Sequence, residues 1–150
     1  MRLSGFSSLD LVEFVNNPVT KSLNLVTPAF RQSDICVSAP TGSGKTLAFV
    51  LPLIHSLKRR VEPQIRALVI LPAQDLAAQV FKVFQTYAKG TGLRVKLVSA
   101  SNPFGREQRE LVRKGAVPGL WNSLVDILVA TPGRLVDHIQ STEGKDYLNF

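Results

Sequence analysis

The chain has 150 residues, of which 45% are hydrophobic and 19% are charged, and these values are ordinary for one folded domain with a sizeable core. The formal net charge of +7 favours polyanionic partners, although basic residues scattered over a solvated surface would explain it equally well. No apolar run is long enough to cross a bilayer, and the N-terminus lacks the continuous apolar core of a signal peptide. We therefore expect a soluble intracellular protein with no membrane partner.

The few cysteine and histidine residues limit which disulfide bonds and metal sites the chain could form. The single cysteine, Cys36, excludes an internal disulfide and a thiolate metal site, and its apolar neighbours predict a buried, unreactive thiol. His55 and His138 lack metal-ligand spacing, and both fall within or at the end of helical patterns. We expect both histidines at the surface.

Residues 1–33 are a poorly patterned lead-in, in which Ser8 could cap a short helix that runs to about Val15. Residues 34–38 then form an apolar run that predicts a buried strand. An apolar helical pattern follows from about Lys45 to Leu57. Its face includes apolar residues at helical spacing, namely Leu47, Val50, Leu51, Ile54 and Leu57, and we expect Pro52 to kink this helix without ending it.

The loop between this strand and this helix has the residues that a phosphate-binding site requires. Gly42 and Gly44 let the backbone N–H groups approach an anion closely, Lys45 can neutralise phosphate charge, and Thr46 can offer a hydroxyl to Mg²⁺. The generic pattern begins with glycine where this chain has Ala39, and the alternative is a tight turn with a stray lysine. The predicted nucleotide-binding residues are Ala39, Pro40, Thr41, Gly42, Ser43, Gly44, Lys45 and Thr46.

The rest of the chain alternates strand patterns with helix patterns. Strands are predicted at 66–71, 93–100 and 124–130, and residues 148–150 resemble the start of another. Helices are predicted from the loop after Pro72 to about Lys89, at 106–114, and after the turn at 131–134 to about Gln140. Because the apolar run at 66–71 is continuous rather than alternating, and strands alternate with helices, we expect a parallel sheet covered on both faces, in an α/β fold.

Two details of this pattern lead to specific expectations. The helix after Pro72 is expected to turn four apolar side chains inward, namely Leu76, Val80, Val83 and Tyr87. Residues 115–123 are expected to form a loop in which Trp121 either stacks on a nucleic-acid base or pins the loop to the core.

Two further strand-to-helix turns carry polar groups at the edge where ligands bind in parallel sheets. Thr131 is a suitable N-cap, Pro132 suits the first helical position, and Arg134 could hydrogen-bond a phosphate oxygen. The turn that begins at Pro72 is similar, with Gln74 near its start. A helix cap with a surface arginine is the alternative interpretation of the first turn.

Taken together, these segments resemble the DEAD-box ATP-dependent RNA helicases. Residues 34–49 look like motif I of that family, 66–79 like motif Ia, and 130–136 like motif Ib. The resemblance implies a RecA-like P-loop NTPase domain that binds ATP and Mg²⁺, with Lys45 and Thr46 in catalysis and Thr46 on the metal ion. It also implies sequence-independent contacts with the RNA backbone through Pro72, Gln74, Thr131, Gly133 and Arg134.

The chain also departs from the family pattern. Motif Ia usually reads Pro-Thr-Arg-Glu-Leu, whereas this chain has Ala73 and Gln74 in its second and third positions, and no family adenine motif is recognisable before residue 34. The chain ends before the Asp-Glu-Ala-Asp motif, so residues 34–150 are identified as a partial first domain that alone neither hydrolyses ATP nor unwinds RNA at a useful rate. The alternatives are a non-enzymatic fragment that binds nucleotide or RNA, and another P-loop NTPase such as a DNA translocase.

A finer resemblance concerns cellular role. Residues 34–49 and 134–138 are similar to a subgroup associated with assembly of the large ribosomal subunit in the nucleolus. That similarity implies a nucleolar location and pre-ribosomal proteins as partners.

Overall fold

The computed structural model describes residues 37–58, 64–116 and 121–142, in two compact units that span Met1–Ser56 and Leu57–Phe150. Three sequence predictions fall outside the described residues, namely the helix near Ser8, the buried thiol of Cys36 and the strand at 148–150. Among the helices of the described ranges, none is long and apolar enough to span a membrane.

The helix after the glycine-rich loop forms with the predicted bounds. Helix α1 spans Lys45–Leu57 and continues through Pro52, and its buried residues are Val50 and Ile54. The strand predicted at 34–38 is wrong at residues 37 and 38, which are the two that the structure describes. Residues 37 and 38 are irregular and Val37 is 54% exposed, because they take part in none of the described strand ladders.

The second unit contains a parallel sheet and its connecting helices. Its elements in chain order are β1 (Ala67–Ile70), α2 (Gln74–Tyr87), β2 (Val95–Val98), α3 (Phe104–Leu111), β3 (Val112–Lys114), β4 (Trp121–Ser123), β5 (Ile127–Ala130) and α4 (Pro132–Ser141). Strands β1, β5 and β2 pair in that order and are all parallel, which confirms the predicted α/β fold. All four residues of β5 are buried, as expected for the central strand of a parallel sheet that is covered on both faces.

Helix α2 packs against β2 and β5 through a different set of residues from the one predicted. Its buried side chains are Ala77, Val80 and Phe84, whereas Leu76 is 38% exposed. The spacing of three and four residues between the buried positions is helical, so the periodicity was right and the stripe lies elsewhere on the helix. The predicted inward position of Leu76 is therefore wrong, whereas that of Val80 is confirmed.

The segment after α3 is a hairpin rather than the predicted longer helix and loop. Strands β3 and β4 pair antiparallel, with Val112 opposite Ser123 and Lys114 opposite Trp121. Helix α3 therefore ends at Leu111, three residues before the predicted end, and residues 121–123 are not in a loop. Trp121 is half-buried against the core cluster, and the Lys114 ammonium lies 5.5 Å from its ring centroid. This packing favours the interpretation in which Trp121 pins the segment to the core.

Candidate functional site: a glycine-rich loop and an edge of the parallel sheet

The glycine-rich loop has the backbone conformation that a concave anion site requires. Gly42 has φ +84° and Gly44 has φ +86°, and both values belong to the left-handed region that favours glycine. The Ser43 N–H donates to the Pro40 carbonyl at 3.4 Å, and the Ala48 N–H donates to the Gly44 carbonyl at 3.0 Å as α1 begins. The loop therefore curls immediately before a helix N-terminus, where free N–H groups favour an anion.

The Lys45 ammonium lies over this loop. Its Nζ donates to the Ala39 carbonyl at 2.5 Å and to the Pro40 carbonyl at 2.6 Å, and the side chain is exposed. Thr41, Gly42 and Ser43 are exposed as well, while Thr46 is half-buried. An exposed cation at the start of a helix can meet a phosphate group from solvent.

The glycine-rich loop fits the phosphate groups of a nucleoside triphosphate. The left-handed glycines leave room at the loop, because a Cβ at Gly42 would meet no heavy atom within 4 Å. The described residues contain no group of three or more His, Cys, Asp or Glu side chains that could hold a metal ion. Within those residues Mg²⁺ would rely on the Thr46 hydroxyl, with phosphate oxygens as the other hard ligands.

The second predicted site lies at the start of α2. Pro72 and Gln74 are both exposed, and Ala73 at the N-cap makes no side-chain hydrogen bond. The first N–H groups of α2 are therefore left for solvent or a ligand. Asp75 in the first turn complements the helix dipole, so it competes with an anion at this end.

The third predicted site lies at the start of α4. Thr131 occupies the N-cap position with Pro132 next to it, as predicted, but the Thr131 side chain makes no capping hydrogen bond. Gly133 is exposed, and a Cβ added there would meet no heavy atom within 4 Å. The backbone N–H groups of this helix start are thus open to an approaching ligand.

The sheet register brings the second and third sites to one edge. Ile70 of β1 pairs with Ala130 of β5, and the Leu71 N–H donates to the Ala130 carbonyl at 3.0 Å. Because the two strands are adjacent and parallel, the turns at Pro72 and Thr131 begin side by side. The phosphate loop belongs to the other compact unit.

Arg134 is held by protein groups at this edge. Its Nε donates to Glu107 Oε2 at 2.7 Å, its Nη2 donates to the Asn102 carbonyl at 2.5 Å, and its guanidinium carbon lies 4.9 Å from the Phe104 ring centroid. Its side chain is only 13% exposed. The guanidinium thus joins α4 to α3 and to the turn before α3.

His138 is fully buried, which corrects the expectation of a surface histidine. Its Nε2 lies 3.0 Å from Glu107 Oε2, its Nδ1 lies 2.9 Å from the Thr142 hydroxyl, and its ring centroid lies 4.5 Å from that of Phe104. A polar ring can be buried because both nitrogens have partners. His55, in contrast, is exposed as predicted.

Comparison with protein families identifies the family to which this chain belongs. The family model described as DEAD/DEAH box helicase matches residues 21–150. The chain belongs to the DEAD/DEAH box helicase family. The resemblance drawn from motifs I, Ia and Ib is thereby confirmed.

Relatives within the DEAD/DEAH box family agree with this assignment. The chain is 56% identical over 115 residues to "ATP-dependent RNA helicase DDX51" of Homo sapiens, a match that covers 77% of this chain and 17% of that protein. It is 50% identical over 117 residues to "Probable ATP-dependent RNA helicase Dbp73D" of Drosophila melanogaster, with 78% and 17% covered. The chain therefore spans less than a fifth of the length of these relatives.

Solved structures support the fold. The crystal structure of a DEAD box protein from Methanococcus jannaschii matches 69% of this chain and 25% of that chain, with a TM-score of 0.53 and 28% identity. The yeast DEAD-box splicing factor Prp28 matches 92% of this chain and 33% of that chain, with a TM-score of 0.60. At 24% identity the second match shows a shared fold alone.

Within this DEAD/DEAH box domain, sequence analysis missed Glu107. The carboxylate is 1% exposed and accepts hydrogen bonds from Arg134, from His138 and from the Ser99 backbone N–H at 3.0 Å. One signal was present in the sequence. Glu107 precedes Leu111 by four residues, so the two share one face of α3, and Leu111 is a core residue.

Proposed function

We propose that this chain is the ATP-binding and RNA-backbone-binding part of an ATP-dependent RNA helicase. The observation that carries the proposal is the curled loop with left-handed Gly42 and Gly44 and with Lys45 at the start of α1. Family membership supports the same activity, because the two curated relatives described above are named as ATP-dependent RNA helicases.

ATP is the proposed substrate of the phosphate loop. The backbone N–H groups of residues 42–46 would bind the phosphate oxygens, and Lys45 would exchange its two carbonyl partners for the β- and γ-phosphates. The Thr46 hydroxyl would hold Mg²⁺, which neutralises charge that develops on the phosphates. Because Lys45 already sits within the loop, it needs to move only locally to meet them.

RNA is the proposed ligand of the sheet edge. Pro72, Gln74 and Gly133 are exposed at two helix starts, with Thr131 buried beside Gly133, and the free backbone N–H groups of these helix starts suit contacts with phosphate. Such contacts fix the position of a strand without reading its sequence. Arg134 belongs to the same edge and is the cation nearest to the start of α4 in sequence.

A more specific cellular role is proposed on the sequence of two segments. Residues 34–49 and 134–138 resemble the nucleolar subgroup that assembles the large ribosomal subunit. We therefore propose pre-ribosomal RNA as the substrate, pre-ribosomal proteins as partners and the nucleolus as the location. Crosslinking of the full-length gene product to RNA in cells tests this role, since crosslinks confined to messenger RNA would contradict it.

The decisive experiment measures nucleotide binding by the 150-residue chain. Lys45→Ala should weaken binding of a fluorescent ATP analogue by about tenfold or more, because a charged hydrogen bond to phosphate is lost. Lys82→Ala, which removes an exposed lysine of α2, is the matched control and should bind as the original chain does. Equal affinity for the original chain and Lys45→Ala would overturn the proposed phosphate site.

Activity is tested in the full-length gene product. There Lys45→Ala should abolish RNA-stimulated ATP hydrolysis and duplex unwinding together, since both depend on the same phosphate contacts. If nucleotide and RNA bind but the full-length product hydrolyses no ATP, the alternative of a non-enzymatic binding protein is favoured instead.

A further inference from the structure

A single buried carboxylate holds the first two turns of α4. Glu107 Oε2 accepts from Arg134 Nε at 2.7 Å and lies 3.0 Å from His138 Nε2, while Oε1 accepts from the Ser99 N–H at 3.0 Å. Arg134 and His138 are four residues apart, so they lie on one face of α4. Both oxygens of Glu107 are thus used, and two successive turns of α4 are attached to one point on α3.

Arg134 takes part in this attachment through two of its guanidinium nitrogens, and the third is paired within α4. Nε binds Glu107, Nη2 binds the Asn102 carbonyl, and Nη1 lies 3.8 Å from Asp137. The Phe104 ring covers one side of the guanidinium. A planar group held at several points has its direction fixed, and little of it is left to approach a phosphate.

His138 completes the attachment one turn further along. Its ring can donate from Nε2 to Glu107 and accept at Nδ1 from the Thr142 hydroxyl, and Thr142 also accepts from Gln108 Nε2 at 3.3 Å. Thr142 is the C-cap of α4. The network therefore reaches both ends of α4 and ties each of them to α3.

The direction of α4 decides where its open N-terminus points. The N–H groups that follow Thr131 are free of a side-chain cap, so their orientation is set by how the helix is held. We infer that Glu107 and Arg134 are positioning residues, which act on RNA through the exposed backbone of Gly133 at the start of α4 and not through a guanidinium–phosphate contact. This inference rests on the proposed RNA-backbone function of the same edge.

The salt dependence of RNA affinity distinguishes a direct phosphate contact of Arg134 from a positioning role. An arginine that neutralises a phosphate releases counterions, so its loss reduces the slope of log affinity against log salt by about 0.7 for single strands. Loss of a positioning residue lowers RNA affinity at every salt concentration and leaves that slope unchanged. The slope is therefore a readout that separates direct contact from support.

The experiment titrates a labelled single-stranded oligouridine into the 150-residue chain across a salt series. We expect Arg134→Gln and Glu107→Gln each to weaken RNA binding by about tenfold with unchanged slope. The loss in the double variant should be smaller than the sum of the two single losses, because both substitutions remove the Arg134–Glu107 ion pair. Arg109→Gln, an exposed arginine of α3, and Glu110→Gln, the same change one turn along from Glu107, are the matched controls.

A charge-preserving variant covers the case in which Glu107→Gln fails to fold. Arg134→Lys keeps the cation but loses the planar fork, so a positioning role predicts a loss close to that of Arg134→Gln. Retained affinity in Arg134→Lys, or a slope lowered in Arg134→Gln, would overturn the inference. Failure of the original chain to bind RNA at any salt concentration would overturn the proposed RNA function itself, while nucleotide binding could still stand.

Discussion

Arg94 and Asp126 are joined at the start of two neighbouring strands. The Arg94 backbone N–H donates to Asp126 Oδ2 at 2.9 Å, and its Nε lies 3.7 Å from the same oxygen. The other oxygen, Oδ1, accepts from Arg66 Nη2 at 3.3 Å. Arg66 immediately precedes β1, Arg94 precedes β2, and Asp126 precedes β5. One fully buried carboxylate therefore ties together the N-terminal ends of all three parallel strands.

Removal of this carboxylate should be costly to the fold. Asp126→Ala leaves the Arg66 guanidinium, which is 14% exposed, without that carboxylate. Breaking a buried pair from one side costs about 3–5 kcal/mol, so we expect a loss of that size in the free energy of unfolding. Urea denaturation followed by circular dichroism measures it. Asp75→Ala at an exposed position is the control and should change stability by less than about 1 kcal/mol.

Glu110 makes stability depend on pH in the acid range. The Lys96 ammonium, which bonds the carboxylate at 2.5 Å, lowers the pKa of Glu110 from its ordinary value, and Arg106 at 3.0 Å adds to this against the opposing effect of burial. Because the pKa is lower in the folded state, the stabilisation is present above the unfolded-state pKa. It is lost as the pH falls through the folded-state pKa.

The expected size of this effect is small, since the Glu110 side chain is 31% exposed. Glu110→Gln should cost about 0.5–1 kcal/mol of stability near neutral pH, and the difference from the original chain should vanish in acid. Denaturation at a series of pH values measures it. A difference that persists at the lowest pH would show that packing, rather than charge, accounts for the loss.

Gly42 offers a test of the loop conformation. Alanine would meet no atom within 4 Å at this position, so the cost is the left-handed φ alone, about 1–2 kcal/mol. We expect Gly42→Ala to weaken binding of a fluorescent ATP analogue about tenfold. Gly105→Ala, in α3 with open space and no left-handed φ, is the matched control and should leave nucleotide affinity unchanged. Unchanged affinity in Gly42→Ala would mean that the bound loop does not keep this conformation.

Gly133 offers the corresponding test of the proposed RNA-binding edge of the sheet. Gly133 and Gly105 are each the second residue of a helix with open space at the Cβ position, so alanine should leave the stability of both variants equal or slightly raised. The methyl group at Gly133 would occupy space proposed for the RNA backbone. We expect RNA affinity to fall about fivefold in Gly133→Ala alone, measured by fluorescence anisotropy. Equal affinity in the two variants would remove Gly133 from the proposed site.

The elements that the sequence predicted well are those fixed by neighbours along the chain. The bounds of α1 were predictable because the glycines before Lys45 stop any earlier helix, and the apolar spacing after it continues for three turns. Strands β1 and β5 were predictable for the same kind of reason, since each is a continuous apolar run, and β2 was predictable although Lys96 interrupts its apolar residues. The hairpin of β3 and β4 was not, because pairing between Val112 and Ser123 depends on a partner distant in sequence.

Local pattern determined where the three strands of the parallel sheet and most of the helices lie, since propensity and turn chemistry act over a few residues. It could not determine which polar side chains would be buried. Glu107 and His138 read as surface residues of polar helices, and each is buried because the other, 31 residues away, meets its hydrogen-bonding need. A buried charge is tolerable only where such partners converge, and that convergence exists only once α3 and α4 are packed together.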